Sequence, residues 1–141
     1  MSNLSPQNTY HQNRIKTAGQ SELIVMLYDA AIRNLQTAVG ELETEKPRID
    51  IVNNAFNKAS GIIAELSASL NFDRGGEIAD HLFNLYCFFG SEITKANVRK
   101  ETGNIPTIIE MLEDLRRAWK IAASDASAAP AGRYEGLSIN G

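Results

Sequence analysis

Cysteine is nearly missing from this 141-residue sequence: the single Cys87 rules out an internal disulfide, and a chain of this length buries enough surface to need none. Histidine is as sparse. His11 and His81 are the only two, so the paired Glu-x-x-His motifs with which helical bundles hold two metal ions cannot be assembled. Basic residues are not in surplus, with 14 Lys plus Arg against 17 Asp plus Glu and a net charge of −3, which argues against a nucleic-acid binder that works by neutralising phosphates. No apolar run nears the roughly 20 residues that span a bilayer. The longest conspicuous one, Leu23 to Tyr28, covers six positions, so no stable membrane insertion is expected. The first residues lack the basic start and apolar stretch of a secretory signal, and a cytoplasmic location is expected. Neither G-x-G-x-x-G nor a glycine-rich loop followed by Lys and Ser or Thr occurs, so the common phosphate cradles are missing.

What is present is helical periodicity. Leu23, Leu27, Ala31, Leu35, Ala38 and Leu42 recur at three- and four-residue steps, and Pro47 closes the first helix. Val52, Phe56, Ala59, Ile63, Leu66 and Leu70 form a second stripe that stops at the turn Asn71 to Gly76. A third stretch runs from about Glu77 through Ile78, Leu82, Leu85, Tyr86, Phe89, Ile93 and Ala96. Pro106 then introduces a fourth with Ile108, Ile109, Leu112, Leu115, Trp119 and Ala122. Helices of about 20–24 residues, roughly 30–36 Å long, joined by short turns favour an all-α, antiparallel four-helix bundle. Residues 1–20 are polar and read as an N-terminal arm, 21–123 as the bundle, and 124–141, rich in Ala, Ser and Gly, as a flexible tail.

Nothing in the pattern points to catalysis, and no cofactor or metal is expected. Glu77 and His81 share a helix face but lack a third ligand, Glu41, Glu43 and Glu45 read as a solvated helix end, and Cys87 in its apolar neighbourhood reads as inert packing. Trp119 is expected to fill one end of the bundle and Arg116-Arg117 to form a solvated face.

Two stretches carry more apolar surface than one core-facing side requires. Leu23 to Tyr28 make the first helix apolar all round for more than a turn. The third does the same with Ile78, Ala79, Leu82, Phe83, Leu85, Tyr86, Cys87, Phe88 and Phe89. A helix apolar on every side must be covered on every side. The cover can come from the arm, through Tyr10 and Ile15, or from an apolar partner helix laid in a groove. An arm that covers the groove when empty and yields when it is filled combines the two.

The residues Tyr10, Ile15, Thr17-Ala18, Glu22-Leu23-Ile24, Met26-Leu27-Tyr28-Asp29 and Ala31-Ile32 form one string. With Leu70, Gly75-Gly76-Glu77-Ile78-Ala79, Leu82 and Leu85-Tyr86 after it, the chain resembles the flagellar secretion chaperone FliS family. Ala96-Asn97 and Leu112 to Trp119 fit the same pattern, so the resemblance covers about residues 10–122. It departs at Gly19-Gln20, where the family commonly has Ser or Thr followed by Pro, at Ala30 in place of Gly, and at Cys87 to Glu92, where the family is often polar and arginine-rich.

The resemblance implies a cytoplasmic export chaperone that binds the disordered C-terminal segment of flagellin, prevents premature polymerisation and aids delivery to a flagellar type III export gate protein. It is expected as a monomer or weak homodimer. The partner-binding candidates are Tyr10 and Ile15 as a movable lid, Leu23, Leu27 and Tyr28, then Leu66, Leu70 and Phe72, and finally Leu82, Phe83 and Tyr86. Leu27, Leu66 and Leu82 read first as core; Tyr10 and Phe83 lie off the main stripes and read first as contacts. A regulatory binder that sequesters a transcriptional or anti-sigma partner is the alternative for the same groove, and a self-associating bundle is another.

Overall fold

The computed structural model describes residues 19–128, with side chains through Ser124. Four helices follow in order: α1 (Gln20–Leu42), α2 (Ile49–Ala68), α3 (Phe72–Arg99) and α4 (Ile105–Ala128). The described residues contain no strand. The bundle expected from the periodicity is the observed architecture.

α1 begins after Gly19, whose φ of 97° is one that residues with a Cβ resist and glycine accepts. No side chain caps this end; Glu22 in the first turn meets the positive end of the helix dipole. The α1–α2 corner is tied by Glu41, whose carboxylate accepts from the Arg48 backbone N–H at 2.9 Å and pairs with its guanidinium at 3.3 Å. The backbone and side chain of Arg48 thereby hold the Glu41 carboxyl below its ordinary range. At the α2–α3 turn, the Asn71 side chain accepts from the Arg74 N–H at 3.2 Å, an N-cap bond that starts α3. Lys100 closes α3 in a left-handed conformation, with its ammonium donating to the backbone and side-chain oxygens of Asn97 at 2.6 Å each.

α1 packs against α2 and α4, and α2 against α3, whereas α3 and α4 have the least mutual packing. Buried alanines, Ala31 and Ala38 on α1 with Ala55 and Ala59 on α2, keep the central helices close. Val52, Phe56, Ile63 and Leu66 from α2, Phe89 and Ile93 from α3, and Ile105, Ile108 and Leu112 from α4 complete one continuous core. Across the α2–α3 surface, Asn97 donates to Asn53 and Asn57 at 3.1 and 3.4 Å.

Two boundaries differ from the periodicity. Phe72 to Gly75 already form a helical turn, and Gly76, at φ 53° and ψ −124°, breaks it from the rest of α3, so glycine acts inside the element rather than before it. α4 runs on to Ala128, into the stretch whose composition reads as tail, because alanine is a strong helix former and serine is tolerated in a helix.

Candidate functional site

The level of each residue in the bundle follows from the alternation of helix direction. The start of α1, the end of α2, the start of α3 and the end of α4 share one end. Just inside it, Tyr28 of α1 and Tyr86 of α3 join hydroxyls at 2.5 Å. α1 and α3 stand diagonally across the bundle, so these two long side chains bridge a gap that the backbones leave. Burial raises the Tyr28 hydroxyl above its ordinary value, while the Tyr86 and Trp119 side chains, as hydrogen-bond partners, oppose that rise. Burial also pushes Tyr86 strongly up, and the neighbouring Tyr28 adds to it. Beside this pair, Arg116 of α4 donates to Asp29 of α1 at 2.8 Å, both side chains being about one-third exposed.

The core under the site therefore contains a buried hydroxyl pair, each hydroxyl bonded to the other. Outside it the chemistry changes. Eight large apolar side chains are exposed among the described residues, and five of them, Met26, Phe72, Ile78, Phe83 and Ile121, lie within roughly three helical turns of the shared end. Phe72 and Phe83 are 46% and 41% exposed, yet their ring centroids meet edge to face at 5.8 Å. Eleven positions along an unbroken helix would separate them by about 16 Å. The break at Gly76 folds the first turn of α3 back and makes the contact possible. A depression of about 510 Å³ lined by Gln20 and Ser69 to Asp73 adjoins them, mostly polar apart from Leu70 and Phe72.

The eleven sequence candidates divide sharply. Phe72 and Phe83 are exposed and touch each other; Leu23, Leu27, Leu70 and Leu82 are half-buried, with side chains that reach both core and surface. Tyr28, Leu66 and Tyr86 are 0%, 0% and 2% exposed and belong to the core, where they shape the site from beneath and offer it no surface. Tyr10 and Ile15 lie outside the described residues.

Met26, Ile78 and Ile121 are absent from the candidate set although exposed. Met26 and Ile121 are apolar and off the core stripes of their helices; Ile78, expected on the stripe of α3, is instead exposed, and its neighbour Ala79 takes the buried position. Cys87, expected as packing, is exposed on α3, because the core-facing row runs through its neighbours Tyr86 and Phe89 instead. Arg117 fits a solvated face, paired only with Asp114 one turn away, but its neighbour Arg116 turns inward to Asp29. Among the described residues no three His, Cys, Asp or Glu side chains gather as a metal would require, and no helix is long and apolar enough to cross a membrane.

The sequence profile described as flagellar protein FliS matches residues 1–126. The chain belongs to the FliS family. Among proteins it resembles, the flagellar secretion chaperone FliS of Salmonella typhimurium is 32% identical over 117 residues, covering 82% of this chain and 85% of that one. The protein of the same name from Bacillus subtilis is 30% identical over 118 residues, covering 84% and 86%. That from Vibrio cholerae is 28% identical over 107 residues, covering 76% and 77%. In this FliS-family chain, the Phe72 and Phe83 rings touch each other and remain exposed.

Proposed function

We propose that this FliS-family chain is a cytoplasmic export chaperone that binds the C-terminal segment of flagellin, keeps flagellin from polymerising early and helps deliver it to the flagellar type III export gate. Family membership supports the export-chaperone role, as do its relatives, which are flagellar secretion chaperones, and it implies a binding protein rather than an enzyme. The observation that carries the reading is the exposed Phe72–Phe83 ring pair near one end of the bundle, an end at which Met26, Ile78 and Ile121 are also exposed. Apolar patches of this kind on a small protein mark interaction sites.

The mechanism is coupled folding and binding. A segment without structure of its own loses chain entropy when it orders, and recovers it by placing apolar side chains on Phe72, Ile78, Phe83 and the half-buried Leu23, Leu27, Leu70 and Leu82. While bound, that segment is withheld from assembly. The buried Tyr28, Tyr86 and Leu66 keep the platform rigid, so that ordering falls on the partner alone.

Titration of the purified chain against flagellin with and without its C-terminal segment tests this. Saturable binding to the intact form and none to the shortened one is expected. Equal affinity for both forms overturns the reading and leaves a regulatory partner as the occupant of the same surface.

A further inference from the structure

Beyond the break at Gly76, α3 continues without interruption from Glu77 to Arg99, and Phe88 stands at the midpoint of that stretch. Its core-facing row, Tyr86, Phe89, Ile93 and Ala96, is buried. On the opposite face Glu77, Asp80, Phe88, Lys95, Val98 and Arg99 recur at one- and two-turn steps and are all exposed, with the polar His81, Asn84 and Ser91 between them. The charges on this row are sorted: both acidic residues precede Phe88 and both basic residues follow it. The helix dipole accounts for acid early and base late, but not for a phenylalanine 44% exposed and a valine 78% exposed on the same row. The Phe88 ring rests against Phe89 of the core, with centroids 6.1 Å apart.

We propose that this face docks a second copy of the chain, α3 against α3 in antiparallel orientation, about a two-fold axis through Phe88. Glu77 and Arg99 lie equally far to either side of Phe88, about 16 Å along the helix, and Asp80 and Lys95 lie about 12 and 10 Å away. The axis sets Phe88 of one protomer on Phe88 of the other and brings Glu77 and Asp80 of each opposite Arg99 and Lys95 of its mate. A parallel pairing would set acid on acid and base on base, so the charges select the antiparallel one. Lys95 also reaches Glu92 at 3.1 Å, but with half of its side chain exposed it can serve both carboxylates.

A single pair of helices about 34 Å long falls at the small end of specific interfaces, under roughly 1,200 Å² in total. Association is therefore weak and reversible and, resting on exposed charges, is screened by salt. Phe83, five positions before Phe88, lies about 140° away around the helix, so the docking face is separate from the Phe72–Phe83 pair and stands whichever partner that pair binds.

Sedimentation equilibrium of the full chain over a concentration series, at low salt and at about 0.5 M salt, reads the association. In Glu77→Lys/Asp80→Lys all four charged positions of the row are basic, and in Lys95→Glu/Arg99→Glu all four are acidic. The unaltered chain is expected to dimerise reversibly, and each variant alone to associate at least about tenfold more weakly. An equal mixture of the two variants is expected to recover the dimer, because opposite charges then face each other along the whole row. Recovery separates repulsion from misfolding. Cys87, the one cysteine of the chain, is adjacent to Phe88 and falls near its own copy across the axis. A short bis-maleimide is expected to link the unaltered dimer and the mixture through it, and neither variant alone. A chain that stays monomeric at every concentration overturns the proposal, as does loss of the dimer in the variants without recovery in the mixture. A dimer that both variants retain, or that the Cys87 reagent does not link, also overturns it, because the contact then lies elsewhere.

Discussion

The Tyr28 and Tyr86 hydroxyls meet at 2.5 Å in the interior, joining two helices that do not otherwise approach each other. Each hydroxyl is buried and can donate to the other, so removing one leaves its partner short of a bond in a dry site. Tyr28→Phe, which leaves the Tyr86 hydroxyl orphaned while Tyr86→Phe leaves Tyr28 its Trp119 partner, is expected to lower stability by about 1–2 kcal/mol, within the range for a lost bond plus an orphaned polar group. The double variant Tyr28→Phe/Tyr86→Phe is expected to lose less than the two single effects added together, since the second change removes the orphan. Urea denaturation of the four forms measures both.

The same pair sets an alkaline limit. Both hydroxyls are raised above the ordinary tyrosine value by burial. Above about pH 10 the unfolded chain gives up these protons while the native chain keeps them, so the unfolded state binds fewer protons and stability falls as pH rises. The stabilising difference is complete below that pH. Tyr28→Phe/Tyr86→Phe is expected to flatten the alkaline decline of the thermal midpoint. On the acid side, Glu41 and Glu92 are held low, the first by Arg48 and the second by Asn104 and then Lys95. Their contribution is present at neutral pH and is lost as pH falls through their lowered values.

Gly76 is the second sensitive point. Its φ of 53° with ψ of −124° is a glycine conformation, and an added Cβ meets nothing within 4 Å, so any penalty is backbone strain rather than collision. Gly76→Ala is expected to destabilise by about 1–3 kcal/mol. It should also part Phe72 from Phe83 by favouring straight helix, which NMR contacts between the two rings report directly. Gly61→Ala, in the exposed middle of α2 with open space around it, is the control and is expected to stabilise by about 0.4–1 kcal/mol.

Helix number, order and most of the core were legible because period and burial agree. Leu35, Ala38, Phe56, Ile63, Phe89, Ile93 and Leu112 all sit on stripes visible in the sequence and are all buried. The surplus apolar surface was legible too: Ile78, Phe83 and Phe88 are the exposed remainder of a helix that reads as apolar all round. The site was harder. Tyr28 and Tyr86 carry polar tips that suit a wet surface, and only the diagonal geometry of α1 and α3, which no local pattern encodes, shows that each tip is satisfied by the other. Likewise Phe72 and Phe83 are eleven positions apart and meet only through the Gly76 break. Arg116 and Arg117 are neighbours of one chemistry, and the difference between them is the position of Asp29 on another helix.

Core and surface leucines give a cleaner contrast. Leu66→Ala is expected to cost about 2–5 kcal/mol, because it opens a cavity in a fully buried site. Phe83→Ser, at a side chain 41% exposed, is expected to change the urea midpoint far less while weakening partner capture. Comparison of midpoint and affinity for the two variants separates folding from binding.

The most direct measurement is calorimetric titration of flagellin into the full chain and into Phe72→Ser/Ile78→Ser/Phe83→Ser. For the unaltered chain, binding with a large negative heat-capacity change is expected, as when a segment orders and buries on the order of 1,000–3,000 Å². The triple variant, folded by circular dichroism, is expected to bind at least about tenfold more weakly, a loss of ~1.4 kcal/mol. Equal affinity and equal heat capacity for the two forms would contradict the assignment of this apolar end as the flagellin-binding surface.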